Sequence, residues 1–166
     1  MAELELDNYS VNLVDMIGHG GFGIVYSGKE IKTGKKVAVK MIKVVTDEDG
    51  CDAMREIKLF DRLKEHPNLI RLLDFHYMNH AFWMIMDFCD GGDLDKYMYE
   101  ANPDLTEQLR LMYQCASAIA HMHESKPPMI HRDIKPANVL MFKNGKIILG
   151  RWLRNVLLAG IPMTVH

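Results

Sequence analysis

Apolar and polar positions along this chain change their spacing several times, and each change predicts an element. Val11 to Val25 and Val37 to Lys43 are rich in β-branched and aromatic residues broken by glycine. The turn signal Lys32-Thr33-Gly34-Lys35 lies between them, so a twisted antiparallel meander is expected. From Asp52 to Lys64 the period lengthens: Ala53, Met54, Ile57, Phe60 and Leu63 recur three and four residues apart. That is the mark of an amphipathic helix, with acidic Asp47, Glu48 and Asp49 at its amino end and His66-Pro67 as its stop. Leu69 to Phe75 and Phe82 to Phe88 read as two further strands, the second almost wholly apolar and therefore central and buried.

Asp90-Gly91-Gly92 interrupts the strands, and a helical period then returns twice. A short helix is expected around Leu94 to Tyr99. A long one follows from Asp104, which stands in capping-box spacing with Glu107. The stripe Leu105, Leu109, Met112, Ala116, Ile119 and His123 marks its apolar face. Lys126-Pro127-Pro128 ends the helix, Met129-Ile130 starts a short strand, and Val139 to Phe142 with Lys146 to Leu149 form a hairpin turned by Asn144-Gly145. No internal repeat or low-complexity linker separates these elements.

Composition narrows the class without naming it. With 166 residues and 48% hydrophobic content the chain suits one compact domain better than two independent ones. A formal net charge of -2 argues against nucleic acid or membrane partners, which would leave a basic footprint. All 22 acidic residues lie at or before Asp133, whereas Lys135, Lys143, Lys146, Arg151 and Arg154 follow without counter-charge, a compositional seam near Leu149. Cys51, Cys89 and Cys115 are odd in number and lack metal-ligand spacing. No apolar run approaches the roughly 20 residues that span a bilayer, and the acidic amino terminus has no apolar leader segment. A soluble chain is expected, cytoplasmic, with the nucleus also open to it.

Four segments carry chemistry. Gly18-His19-Gly20-Gly21-Phe22-Gly23-Ile24-Val25 fits G-x-G-x-x-G-x-V, in which missing side chains let backbone N–H groups approach phosphate oxygens. The same glycines fit a dinucleotide fingerprint, but that needs a helix next, and here a second strand and a turn follow. Val37-Ala38-Val39-Lys40 puts an ammonium on the strand after the glycines. Glu56, four and seven residues before Phe60 and Leu63, borders the inward face of its helix, where it can pair with Lys40. His131-Arg132-Asp133-Ile134-Lys135-Pro136-Ala137-Asn138 sets Asp, Lys and Asn at short fixed spacing. A carboxylate in such a loop can orient a hydroxyl and accept its proton, and Asp133 is the candidate. His131 reads as a packed structural histidine, and His121 and His123 as helix-face residues.

These segments, in this order, resemble eukaryotic protein kinases over about Tyr9 to Leu149, and the Lys two residues after Asp133 is the serine/threonine form. The resemblance implies an α+β, protein-kinase-like fold. It would comprise a complete β-rich small lobe of five strands and one helix over about residues 9–89, and an incomplete helical large lobe over about 90–149. Residues 150–166 would be a non-family tail. It implies ATP and Mg2+ as cofactors and a protein hydroxyl as substrate. By the same resemblance Ile17, Gly18, Gly20, Gly23, Val25 and Ala38 surround the nucleotide, Lys40 holds its α- and β-phosphates, and Glu56 fixes Lys40. In Met86-Asp87-Phe88-Cys89-Asp90-Gly91-Gly92-Asp93, Met86 borders the adenine, main-chain groups of Asp87 and Cys89 meet it, and Asp93 meets ribose or a substrate side chain. Lys135 neutralises the transferring phosphate and Asn138 holds a Mg2+ ion.

The pattern fails after Leu149, where the family has Asp-Phe-Gly and this chain has Gly150-Arg151-Trp152. The missing carboxylate would ligate Mg2+. One such contact at about 4 Å is worth roughly 4 kcal/mol at an effective dielectric near 20, about a thousandfold in rate. Impaired transfer is therefore expected, the alternative function being an inactive nucleotide-binding fragment that acts as scaffold or competitor. Met112, Ile119, Ile130 and Val139 are expected to stay uncovered, at a loss on the order of 6 to 12 kcal/mol, unless a partner covers them. Arg151 to His166 reads as an unselected tail in preference to an amphipathic docking or membrane segment.

Overall fold

The computed structural model describes residues 3–20, 23–63, 66–150 and 157–158. The chain divides into two compact units, one of Met1–Lys64 with Arg71–Phe88 and one of Glu65–Ile70 with Cys89–His166.

The first unit is an antiparallel sheet with one helix. Its strands are β1 (Glu3–Leu6), β2 (Tyr9–Gly20), β3 (Gly23–Glu30), β4 (Lys36–Lys43), β5 (Leu72–Met78) and β6 (Ala81–Asp87), in the order β1-β2-β3-β4-β6-β5. Six strands replace the five expected. The added β1 pairs Glu3 with Asn12 through Leu6 with Tyr9, and buries Leu6 among Val11, Val37, Val39, Trp83 and Ile85. β6 lies between β4 and β5 and is buried from Ala81 to Met86, as its unbroken apolar run predicts.

Helix α1 (Asp47–Leu63) crosses from β4 to β5 and starts five residues earlier than its apolar period indicates. Thr46 caps it: Asp49 N–H donates to Thr46 Oγ1 at 3.2 Å, and Thr46 N–H donates back to Asp49 Oδ2 at 2.9 Å. Its buried set is Ala53, Glu56, Ile57, Leu59, Phe60 and Leu63, so Met54 faces out and Leu59 takes its expected place. β5 also begins three residues later than expected. Leu69 and Ile70 belong instead to the second unit, where Leu149 N–H donates to Asn68 O at 2.8 Å and Ile70 N–H to Leu149 O at 3.2 Å.

The second unit is built on α2 (Leu94–Ala101) and α3 (Leu105–Glu124), with β7 (Met129–Ile130), a 3-10 turn at Pro136–Asn138, β8 (Val139–Met141), β9 (Ile147–Leu149) and β10 (Leu157–Leu158). β8 and β9 form the expected hairpin, turned at Gly145 with φ 81°. Segment 90–93 flanks it, with Gly91 N–H donating to Met141 O at 2.8 Å and Met141 N–H to Gly92 O at 2.9 Å. A Cβ at Gly91 would lie 2.9 Å from Met141 O, so only glycine permits that approach. β10 pairs antiparallel with β7, and the remaining tail residues on which the docking reading falls lie outside the described residues.

Helix α3 leaves most of its predicted apolar stripe uncovered. Asp104 caps it, accepting Glu107 N–H at 2.8 Å, but Glu107 turns to Arg110 instead of completing the box. Leu111, Ala118 and Met122 are buried, whereas Leu105, Leu109 and Met112 of the predicted stripe are 69%, 55% and 66% exposed. The buried face is partly polar, and Gln114 tethers it to β9. Its Oε1 accepts from Asn68 Nδ2 at 2.8 Å and from Ile147 N–H at 3.1 Å. Of the four residues expected to be uncovered, Met112 and Ile130 are exposed and Ile119 is half-buried. Val139 is buried, because β8 lies between β9 and segment 90–93.

Candidate active site

In the first unit, strand register gathers the predicted residues on one face of the sheet. Val25 stands opposite Lys40, Ala38 opposite Met86, and Lys40 opposite Met84, and residues paired in this way point to the same side. α1 covers that face and brings Glu56 to Lys40, with Nζ 2.5 Å from Oε1 and both side chains 3% exposed. Two buried charges persist only when paired, so the contact is a defining feature of this face. Gly18 pairs with Val25 and Gly20 with Gly23, a tight hairpin whose Gly21 and Phe22 lie outside the described residues. At Gly23, φ is 122° and a Cβ would meet Met41 O, which excludes any other residue. Ile17 is half-exposed on β2.

Asp87, whose main chain was assigned to adenine, also carries a charge cluster that the sequence reading missed. Arg71 donates to both of its carboxylate oxygens, at 3.0 and 3.1 Å, and Lys35 Nζ lies 3.5 Å away. No local pattern announces this, since the partners are 16 residues apart.

In the second unit the loop from His131 to Asn138 brings Asp133, Lys135 and Asn138 together. Asn138, buried at the end of the 3-10 turn, donates its Nδ2–H to Asp133 Oδ2 at 2.7 Å and to Asp133 O at 2.9 Å. Lys135 Nζ lies 3.3 Å from the other oxygen, Oδ1. The Asn138 hydrogen bond holds the Asp133 carboxyl below its usual range against the opposing effect of desolvation, and Lys135 adds to the lowering. His131 is buried and accepts Asp133 N–H on Nδ1 at 3.3 Å, while its Nε2 has no partner among the described residues. Burial pushes its pKa down, so the ring is neutral, and Asp133 offsets this in part. Arg132 takes φ 66°, a left-handed conformation that turns the chain sharply between His131 and Asp133.

Asp93 and Cys89 also belong to this unit. The Asp93 carboxylate caps α2, accepting Lys96 N–H at 3.0 Å, which ties up one oxygen. Asn68 and Gln114 escaped the sequence reading. Each is a polar residue next to an apolar run, and only the fold shows that Asn68 Nδ2 reaches Ile147 O at 2.9 Å. Among the described residues no cluster of three His, Cys, Asp or Glu side chains can hold a metal. Asn138 Oδ1 is one amide oxygen, short of the carboxylates that usually hold Mg2+.

Compared with known families, residues 11–151 match the protein kinase domain. The chain belongs to the protein kinase family. Among curated relatives it is 33% identical over 148 residues to a probable serine/threonine-protein kinase of Dictyostelium discoideum, covering 83% of this chain and 13% of that protein. It is 34% identical over 151 residues to the serine/threonine-protein kinase KIC1 of Saccharomyces cerevisiae, covering 90% and 14%. It is 35% identical over 139 residues to serine/threonine-protein kinase 10 of Homo sapiens, covering 82% and 14%. The chain thus spans about one seventh of the length of these kinases. Its fold is the α+β one of that family, the relatives just named are serine/threonine-protein kinases, and the family generally uses ATP and Mg2+. No described helix is long and apolar enough to cross a membrane.

Proposed function

We propose that this chain is a Mg-ATP-binding serine/threonine kinase domain that transfers phosphoryl groups to protein hydroxyls, at a reduced rate. The observation that carries the reading is the Asp133–Asn138–Lys135 cluster, a carboxylate held ionised and oriented by a buried amide and flanked by a cation. Asp133 would accept a hydrogen bond from the substrate hydroxyl and then its proton. A lowered pKa suits orientation better than proton abstraction, in keeping with a transition state that needs little base strength. Lys135 Nζ would exchange Asp133 for a phosphate oxygen, and Asn138 Oδ1 would be the one protein ligand to a Mg2+ ion arriving with ATP. That ion would supply charge neutralisation when bound.

In the first unit, Lys40 would meet the α- and β-phosphates, held in place by Glu56. The hairpin of Gly18, Gly20 and Gly23 with Ile17 and Val25 would cover the nucleotide beside Ala38 and Met86. Main-chain groups of Asp87 and Cys89 would meet adenine, and Asp93 the ribose or the substrate. The small lobe is assigned to about residues 9–89 and the start of the large lobe to about 90–149, with 150–166 outside the family pattern. Cytoplasmic residence belongs to the same proposal.

A second reading, a nucleotide-binding scaffold without transfer, is favoured by one feature: Gly150-Arg151-Trp152 stand where the family has Asp-Phe-Gly. Two assays separate them. Mg-ATP should raise the unfolding temperature of the wild type and not of Lys40→Met. Labelled phosphate should then pass to a generic protein substrate and not in Asp133→Asn. Binding without transfer establishes the scaffold, and binding insensitive to Lys40→Met overturns both.

A further inference from the structure

The first unit contains a cavity that none of these groups uses. About 570 Å³ in volume, it opens over β1 to β4 and is lined chiefly by Glu3, Ser10, Asn12, Ser27, Lys29 and Lys36. Small-molecule sites run from about 300 to 1,000 Å³. Ser10 pairs with Lys29 and Lys29 with Lys36, so three side chains leave one face of the sheet in a row across three strands. This is the face that carries Ala38 and Lys40. Lys36, however, stands four residues from Lys40, about 13 Å along the strand, so the row is separate from the ammonium assigned to ATP.

What the cavity offers follows from which groups are already committed. Asn12 Oδ1 accepts Val14 N–H at 3.1 Å, which leaves the two N–H groups of its amide. Ser10, 5% exposed, and the half-buried Ser27 each add a hydroxyl to the lining. Lys36 Nζ lies 5.6 Å from the Phe88 ring centre, and Lys29 Nζ is 3.7 Å from Glu3 Oε1 in a half-exposed pair at the rim. Two lysines, an amide and two hydroxyls line the cavity, and Glu3 is the one carboxylate among them.

We infer that this cavity binds a phosphate monoester, whose three oxygens accept from this row of donors and whose double negative charge meets Lys29 and Lys36. The volume exceeds what inorganic phosphate fills, so the group arrives on a larger body, either a metabolite-sized molecule or a phosphorylated side chain. Glu3 opposes the ligand and swings away from Lys29 as it enters.

Calorimetric titration of the whole chain with glycerol phosphate, and in parallel with a phosphoserine peptide, tests this. Saturable binding of either, weakened about tenfold or more by Lys29→Gln with Lys36→Gln and strengthened by Glu3→Gln, is the expected result. Preference for one probe identifies the source. Ser10→Ala, which keeps every charge, provides the same reading of weakened binding should the double variant not fold. Absence of binding to both probes, binding that these variants leave intact, or displacement by ATP would overturn the inference.

Discussion

Lys40 and Glu56 show how much one contact can carry. Each is a charge in a buried setting, and each is tolerable because the other is 2.5 Å away. Removing Lys40 leaves the Glu56 carboxylate an uncompensated buried charge, so Lys40→Met should destabilise the first unit by about 3 to 5 kcal/mol in urea unfolding. Lys40→Met with Glu56→Leu should recover most of that loss, which a purely local packing defect would not do. Asp133 gives a pH signature. Its carboxyl is held below the usual range by Asn138 and Lys135, so the folded state binds fewer protons than the unfolded one in that interval. The stabilisation is complete above the unfolded value of about 3.9 and is lost as pH falls through the folded one. The stability difference between wild type and Asp133→Asn should therefore shrink on acidification below that point, measured by denaturation at several pH values. A constant difference would dissociate the carboxylate from these bonds.

Elements with a strong internal period were legible in the sequence, and those held by partners elsewhere were not. β6, the β3–β4 turn, the cap of α3 and the β8–β9 hairpin follow from apolar runs, turn residues and Asp104. β1 escaped because four alternating residues are too short to read, and it is Val11 on the neighbouring strand that makes Leu6 a core residue. The start of α1 was written in Thr46 and Asp49, a box outside the apolar period. Residues 68–70 looked like the start of β5 because they are apolar, yet their backbone pairs with Leu149. At the site, the inward face of Glu56 and the Asp133 loop were readable from spacing. The Arg71–Asp87 pair and the Asn68–Gln114 tether were not, because nothing local links them. The tether is testable: Gln114→Leu should lower the stability of the second unit by about 1 to 3 kcal/mol, because Asn68 and Ile147 lose a buried acceptor. His66, from the same segment, accepts Asn68 N–H on Nδ1 at 3.1 Å and contacts Ser117 Oγ through Nε2 at 3.1 Å. Burial, then His121 and Lys146, lower its pKa. Its contribution is thus full above the unfolded value near 6.5 and declines as pH falls below it. His66→Gln should flatten that slope in a pH series of thermal melts.

For the whole molecule, the outward face of α3 is the feature that matters most in solution. Leu105, Leu109, Met112 and Tyr113 are all exposed on one helix, a concentration of apolar surface larger than the scattered side chains usual on a protein exterior. Met112→Glu should change stability by no more than about 0.5 kcal/mol, while reducing concentration-dependent association in sedimentation. Unchanged association would place the adhesive surface elsewhere.

The short reach of β1 has a mechanical consequence. Among the described residues it pairs with β2 only as far as Asn12, so from Leu13 onward β2 pairs there with β3 alone, and Asn12 Oδ1 accepts the Val14 N–H. β3, by contrast, pairs with β4 as far as Ile24 with Met41, so in the glycine hairpin β2 is the strand held less firmly. Bending of β2 is easiest where the β2–β3 register slips between Val11 and Met16. Amides of β2 beyond Leu13 should then exchange with solvent orders of magnitude faster than those of β6, and a ligand under the tip should slow the first set while leaving the second alone.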